Sequence, residues 1–258
     1  MSEESSQGGR PMPGTAGRGT ASVDVRERGA DRDGQPQVLD ARLFMQLLVY
    51  QAPPELHPLE IITLLGKALG ESGVGAVIYE DVNDPHGIGV LTWSEDPADF
   101  VQKVRPVMNE GGFRKLVPRT DMTMFGRTYS SGFEDNLRFW LLERPRNTCL
   151  NPAWPWAVWY PLRRSGAFEK LSSKDQAGIL REHAAIGRSY GEQDLAHDVR
   201  LACHGLDRND NEFVIGLIGK DLHPLSHVVQ VMRKTRQTSE YIVQMGPFFV
   251  GRAAWRSS

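Results

Sequence analysis

One order of elements can be read twice along this chain, and that repetition limits its fold more than any other feature. An apolar run of strand length, Leu43-Phe44-Met45-Gln46-Leu47-Leu48-Val49-Tyr50, closes a strand from Val38 and is stopped by Pro53 and Pro54. A helical stripe follows in Leu56, Leu59, Ile62, Leu65 and Leu69. Gly75–Tyr79 and Ile88–Trp93 read as two strands about the turn Asn83-Asp84-Pro85-His86-Gly87. Asp96 then caps a helix through Met108, with Phe100, Val101 and Val104 as its apolar side, and Asp121–Tyr129 reads as a strand. Strand, helix, hairpin, helix, strand is a ferredoxin-like unit.

The second unit repeats that order. Trp156–Leu162 is a strand, a helix carries His183, and Val199–His204 and Phe213–Ile218 flank the turn from Leu206 to Asn211. A helix from Asp221 to about Arg236 and a strand from Tyr241 to Ala253 complete it. Asp96, Val104 and Met108 are echoed by Asp221, Val228 and Met232, and Phe125-Gly126-Arg127 by Val250-Gly251-Arg252, at an offset of 124–125 residues. Two such sheets can pair into a barrel with helices outside. The expected organisation is a tail over 1–37, a first half over 38–130, a connecting loop over 131–155 and a second half over 156–254.

Composition supports a soluble globular chain: 258 residues, 40% hydrophobic, 24% charged, net charge −2. That balance gives no electrostatic case for nucleic acid. No apolar run reaches the roughly 18–20 residues that span a bilayer, and no leader-like segment is seen, so a cytoplasmic location is expected. Cys149 and Cys203 are the two cysteines, without metal-ligand spacing, and read as reduced thiols. Residues 1–37 show no hydrophobic period and read as disordered. The Pro- and Trp-rich stretch around Arg144 to Pro155 reads as irregular.

The chemistry concentrates between Trp159 and Arg188. Ser172 or Ser173 offers an N-cap and Asp175 a carboxylate in the first helical turn. Leu180, His183, Ala184 and Gly187 recur at helical spacing, so His183 shares a face with apolar residues. Such a histidine is either a core imidazole paired with a carbonyl or an axial ligand to haem iron, with small neighbours leaving room for a flat macrocycle. Tyr160, at a strand, is by itself a core phenol.

Five motifs stand in order: Tyr160-Pro161-Leu162-Arg163-Arg164, Glu182-His183-Ala184-Ala185-Ile186-Gly187-Arg188-Ser189-Tyr190, His204-Gly205-Leu206-Asp207, Met232-Arg233 and Gly246-Pro247-Phe248-Phe249-Val250-Gly251. The series resembles the chlorite dismutase superfamily over roughly residues 38–254, and within it the coproheme decarboxylases. The resemblance implies an α+β fold in which two ferredoxin-like repeats form a dimeric α+β barrel. It implies His183 as the iron ligand and Tyr160 as the redox residue of a peroxide-driven decarboxylation of iron coproporphyrin III (coproheme) to haem b. It further implies Arg146, Arg233 and Thr238 or Ser239 as partners of the propionates, a role suited to the planar guanidinium fork. For Arg233 the alternative is a solvated cation at a helix end.

Arg164 replaces the lysine of the similar enzymes. Either can anchor a carboxylate, but an arginine cannot readily deliver a proton. On the opposite side of the macrocycle, one count places Asp198 over the iron and another places Arg200, both on the same strand face. The resemblance implies iron porphyrin and hydrogen peroxide as partners and a homopentamer. The competing functions are a chlorite dismutase, splitting chlorite to chloride and dioxygen, and a haem-binding protein without turnover.

Overall fold

The computed structural model describes residues 22–257, apart from the Arg32 side chain. Residues 1–21 of the expected tail lie outside the described residues. Its remainder is not disordered: β1 (Glu27–Arg32) and β2 (Gln35–Leu39) form an antiparallel hairpin. Asp33 and Gly34 turn it with φ of 53° and 73°, the left-handed pair of a tight two-residue hairpin. The hairpin is held from outside itself. The Ala30 amide donates to the Glu134 carbonyl, and the Gln37 side-chain amide donates to the carbonyls of Glu134 and Asp135.

The first half comprises β3 (Phe44–Gln51), α1 (Pro58–Ser72), β4 (Gly75–Asp81), β5 (Gly87–Ser94), a π-helical turn at Phe100–Val104 running into α2 (Arg105–Met108), a short β6 (Val117–Pro118) and β7 (Met124–Arg127). Alternation along β3 sends Leu43, Met45, Leu47 and Val49 to one side and Phe44 and Tyr50 to the other. The first set enters the barrel interior, and the second faces α1 and α2.

The segment over 131–155, expected to be irregular, is largely helical. A π-helical turn at Phe139–Glu143 continues as α3 (Arg144–Leu150). Pro145 falls in the first turn of α3, where a helix needs no N–H from it. Leu137, Leu141, Leu142 and Cys149 bury at helical spacing against the barrel core.

The second half comprises β8 (Trp156–Arg164), α4 (Gly166–Glu169), α5 (Ser173–Glu192), β9 (His197–Ala202), β10 (Phe213–Gly219), α6 (Leu222–Met232), β11 (Ile242–Met245) and β12 (Phe249–Arg256). The helix expected to reach Arg236 stops at Met232, and a separate π-helical turn covers Gln237–Tyr241. The single strand expected over 241–253 is two strands, because Gly246 (φ 100°) and Pro247 interrupt the ladder.

Each half has the spatial order of a ferredoxin-like unit: β7–β3–β5–β4 and β12–β8–β10–β9. The halves join where β4 pairs with β12 and β7 with β9, which closes the sheet into a barrel within one chain. Trp159, Phe249, Met45, Leu47 and Leu91 fill its interior. Cys149 and Cys203 are also buried there, and burial pushes the Cys203 thiol up to about 12. Among the described residues no helix is long and apolar enough to cross a membrane.

Candidate functional site

The outer face of the second half is set by register. Tyr160 on β8 stands opposite Ile215 on β10, and Ile215 stands opposite Arg200 on β9. Residues directly opposite in a ladder share a face, so Tyr160, Ile215 and Arg200 form one row. The next row is Val158, Leu217 and Asp198. Both rows face the helices α5 and α6, since Val158, Tyr160 and Leu217 cluster with Leu225 and Val228 of α6 and Ile186 and Tyr190 of α5. Asp198 and Arg200 therefore project from the same face.

Tyr160 is buried and stacked on Phe248, with ring centroids 4.7 Å apart and planes 22° from parallel. Burial pushes its phenol well above the ordinary range. Asp198 adds to that shift, and Arg233 opposes it. Tyr160 thus holds its proton at any physiological pH.

The helix α5 starts as its sequence directs: Ser172 is the N-cap and its hydroxyl accepts from the Asp175 amide at 3.2 Å. Of its twenty residues, Ile179 is the one that is fully buried. His183 is partly covered, and its Nδ1 is buried with no hydrogen-bond partner among the described residues. Burial lowers the His183 pKa, and the Arg200 charge lowers it further, against smaller opposing effects of Asp198 and Glu182. Its imidazole is therefore neutral near pH 7.

Asp198 is the hub of the charges on this face. Arg144, reaching over from α3, donates to the Asp198 Oδ1 and to its backbone carbonyl, each at 2.7 Å. Arg200 Nε lies 3.1 Å from Oδ2. Burial works against the Asp198 charge, but the two guanidinium groups outweigh it and hold the carboxyl below its usual range. Arg144 and its pairing with Asp198 had no local signal in the sequence. The paired residues Arg144 and Asp198 are far apart along the chain.

The other expected residues are placed as follows. Arg233 lies exposed at the C-terminus of α6, close enough for its charge to act on Tyr160. The Ser239 hydroxyl donates to the Thr235 carbonyl at 2.9 Å, and the Thr238 hydroxyl accepts from that of Thr235 at 3.3 Å, so both serve the turn they sit on. Arg164 faces outward from β8 like Tyr160, about 13 Å farther along the strand at ~3.3 Å per residue. It is gripped by Glu212 through Nε at 3.1 Å and Nη2 at 2.5 Å, between the rings of Phe168 and Phe213. Arg146 turns the other way, toward Glu95 of the first half at 2.6 Å. The structure thus brings His183, Tyr160, Arg200, Asp198 and Arg233 together and leaves Arg146 apart.

A flat macrocycle with a central metal needs an apolar slot, a neutral imidazole and flanking cations. The orphaned imidazole supplies the second. The apolar wall of Ile215, Val229, Met232, Met245, Phe248 and Val250 is only partly buried. On α5 an added methyl at Gly187 would meet nothing nearer than the Met232 Cε at 3.7 Å. Arg200 and Arg233 supply cations, so the residues fit such a group. When bound, it would supply the redox chemistry of its metal.

Comparison with known proteins bears on the family and the fold. The sequence profile of the family described as chlorite dismutase matches residues 90–254, more than half of the chain. No curated protein matches by sequence. Among solved structures, a haem-binding protein from Thermus thermophilus is 19% identical with a TM-score of 0.64, covering 83% of this chain and 92% of that one. A mutant chlorite dismutase from Candidatus Nitrospira defluvii in complex with cyanide is 15% identical, TM-score 0.64, covering 84% and 92%. Chlorite dismutase from the same organism in complex with imidazole is 15% identical, TM-score 0.65, covering 84% and 92%.

Proposed function

Because the chain belongs to the chlorite dismutase family, we propose that it binds an iron porphyrin between α5 and the outer face of the second half, and that it is a coproheme decarboxylase. The observation that carries this reading is the buried phenol of Tyr160 on the face whose Arg200 and Asp198 charges also act on the unpartnered imidazole of His183. A chlorite-splitting site has no use for an oxidisable phenol there.

The substrate is iron coproporphyrin III, and the metal it carries supplies the reaction with peroxide. For each propionic side chain, R–CH2–CH2–COOH and H2O2 give R–CH=CH2, CO2 and two H2O. Tyr160 performs the hydrogen transfer. Its O–H bond gives up a hydrogen atom, and the resulting phenoxyl takes one from the propionate carbon next to the ring. Loss of a second electron and of carbon dioxide then leaves the vinyl group. The raised pKa keeps the phenol protonated, so it loses a whole hydrogen atom rather than resting as a phenolate. Phe248 fixes the ring plane by stacking. His183 holds the iron through a neutral imidazole, and Arg233 receives a propionate at the open edge. Arg164, committed to Glu212, anchors charge rather than delivering a proton. Peroxide, a cytoplasmic setting and a homopentamer belong to this proposal.

A second reading is supported by Arg200, a cation on the face toward His183. That charge suits a small anion such as chlorite. The test is to load the purified protein with iron coproporphyrin III, titrate hydrogen peroxide and follow porphyrins by liquid chromatography with mass spectrometry. Stepwise loss of two CO2 through a monovinyl species is expected, with Tyr160→Phe binding the porphyrin but leaving its mass unchanged. His183→Ala should lose the wild-type Soret band. Tight binding without a mass change in the wild type would reject the decarboxylase, and oxygen release from chlorite would then select the second reading.

A further inference from the structure

A pair of imidazoles that the proposed function does not employ stands on the outer helices of the second half. His223 and His227 both lie on α6, four residues apart, and residues at that spacing share a helical face with Cβ atoms roughly 5–6 Å apart. Leu225 and Val228 of the same helix are buried, while both histidines are exposed. Their ring centroids are 6.0 Å apart and their planes 38° from parallel. From α5, the hydroxyl oxygen of Tyr190 reaches His227 Nδ1 at 2.5 Å. Among the described residues the histidine in an ion pair is His197, with Asp194, and no carboxylate holds the α6 pair.

Two imidazoles at i and i+4 form a ready chelate, because the helix sets their spacing before a metal arrives. A metal held at ~2.0–2.1 Å by one nitrogen of each ring would draw the centroids to about 5 Å. The movement required is about 1 Å between two exposed side chains, within reach of small χ rotations. The Tyr190 contact adds what an isolated pair lacks. With Nδ1–H of His227 donating to the phenol oxygen, Nε2 keeps the lone pair that a metal takes. An outer partner of this kind fixes the tautomer and ring plane of a ligating histidine. The residue after His223 is Pro224, where a zinc hydrolase helix carries its glutamate base, so the pair is suited to binding rather than hydrolysis. Among the described residues no group of three or more His, Cys, Asp or Glu gathers as a metal site, so water would complete the coordination.

We propose that His223 and His227 form a binding site for one late first-row divalent metal ion, and that Tyr190 orients His227 for it. Imidazole nitrogen suits ions of this class, Zn2+ and Cu2+ among them. The site is separate from the porphyrin face and does not rest on the haem reading.

The test titrates Zn2+ into the full, porphyrin-free chain against a chromophoric zinc indicator. A single Zn2+ is expected to bind more tightly than any other. His223→Ala and His227→Ala should each weaken it by more than about tenfold, because a linked pair of contacts becomes one. Both lie on the helix surface, where substitutions leave the fold intact. Tyr190→Phe should weaken it about tenfold, as loss of an outer partner does. His183→Ala should leave it within about twofold, since separate sites act independently. Bound Cu2+ gives a second readout: nitrogen splitting in its electron paramagnetic resonance spectrum should count two imidazoles in the wild type and one in either single histidine variant. An affinity untouched by both histidine substitutions would overturn the site. So would loss of the ion in His183→Ala, which would place it on the proposed iron ligand. An unchanged affinity in Tyr190→Phe would overturn the orienting role. A chain that binds iron porphyrin but no Zn2+ rejects this site alone, and one that binds Zn2+ here but no porphyrin rejects the haem reading alone.

Discussion

The two halves of the barrel share a strand order but use their helices in opposite ways. In the first half α1 closes down on the sheet: Ile61, Ile62, Leu65 and Leu69 are all buried, and the Trp255 indole fills the space over Gly66. In the second half the longer α5 buries Ile179 alone, and its inner face carries a histidine with an unpartnered nitrogen. Each fully buried aliphatic side chain contributes about 1.5–3 kcal/mol. The first half therefore secures the fold, while the second leaves apolar surface that a ligand can cover. Duplication supplies the scaffold twice, and only one copy is free to specialise.

The sharpest way to break this comparison is to truncate one leucine in each helix. Leu65 is wholly buried, so Leu65→Ala should destabilise the porphyrin-free protein by about 2–5 kcal/mol. Leu180 on α5 is 41% exposed, and Leu180→Ala should stay within ~0.5 kcal/mol. Urea denaturation measures both. Equal losses would mean that α5 is packed as tightly as α1, and the proposed slot would not exist.

A smaller effect tests how the second half is fastened without such packing. At the end of β8 the Arg164–Glu212 pair is largely shielded, with side chains 13% and 17% exposed. Burial pushes the Glu212 carboxyl up, but its bonds from the Arg164 side chain and amide outweigh this and hold it below the ordinary value of 4.5. A carboxyl depressed on folding stabilises at pH above its unfolded pKa and loses that contribution as pH falls through the folded one. Glu212→Gln should therefore cost about 1.5–3 kcal/mol at pH 7, the range for hydrogen bonds to a charged group, and much less well below pH 4. A loss independent of pH would make the contact one of shape rather than charge.

What the sequence disclosed follows the same division. Alternation and helical stripes placed the strands and α1 because their residues bury in regular patterns, as along β3. The 124–125-residue offset was legible because both halves keep the same spacing between elements. The hairpin over Glu27–Leu39 escaped, since it is charged and takes its stability from carbonyls of Glu134 and Asp135. The helix α3 was hidden by Pro145, which reads as a breaker until its place in the first turn is known. On the site, the face shared by Asp198 and Arg200 could be counted along one strand, while Tyr160 joins it only through the ladder register. The clamp from Arg144 could not, because contact between residues 54 positions apart leaves no periodic trace.

The finest distinction between the halves is a single methyl group. At Gly66 an added Cβ would come within 2.7 Å of the Trp255 ring, so the first half has no room. At Gly187 it would meet only the flexible end of Met232 at 3.7 Å, an ordinary contact. Glycine in a helix interior costs about 0.8–1 kcal/mol relative to alanine, so Gly187→Ala should raise the stability of the porphyrin-free protein by up to ~1 kcal/mol. The same methyl group would lie one turn from His183, on the side where a macrocycle would rest against α5. Iron porphyrin affinity should fall while stability rises, and fluorescence quenching beside urea denaturation reads both. A gain in stability with unchanged affinity would place the macrocycle elsewhere on the helix.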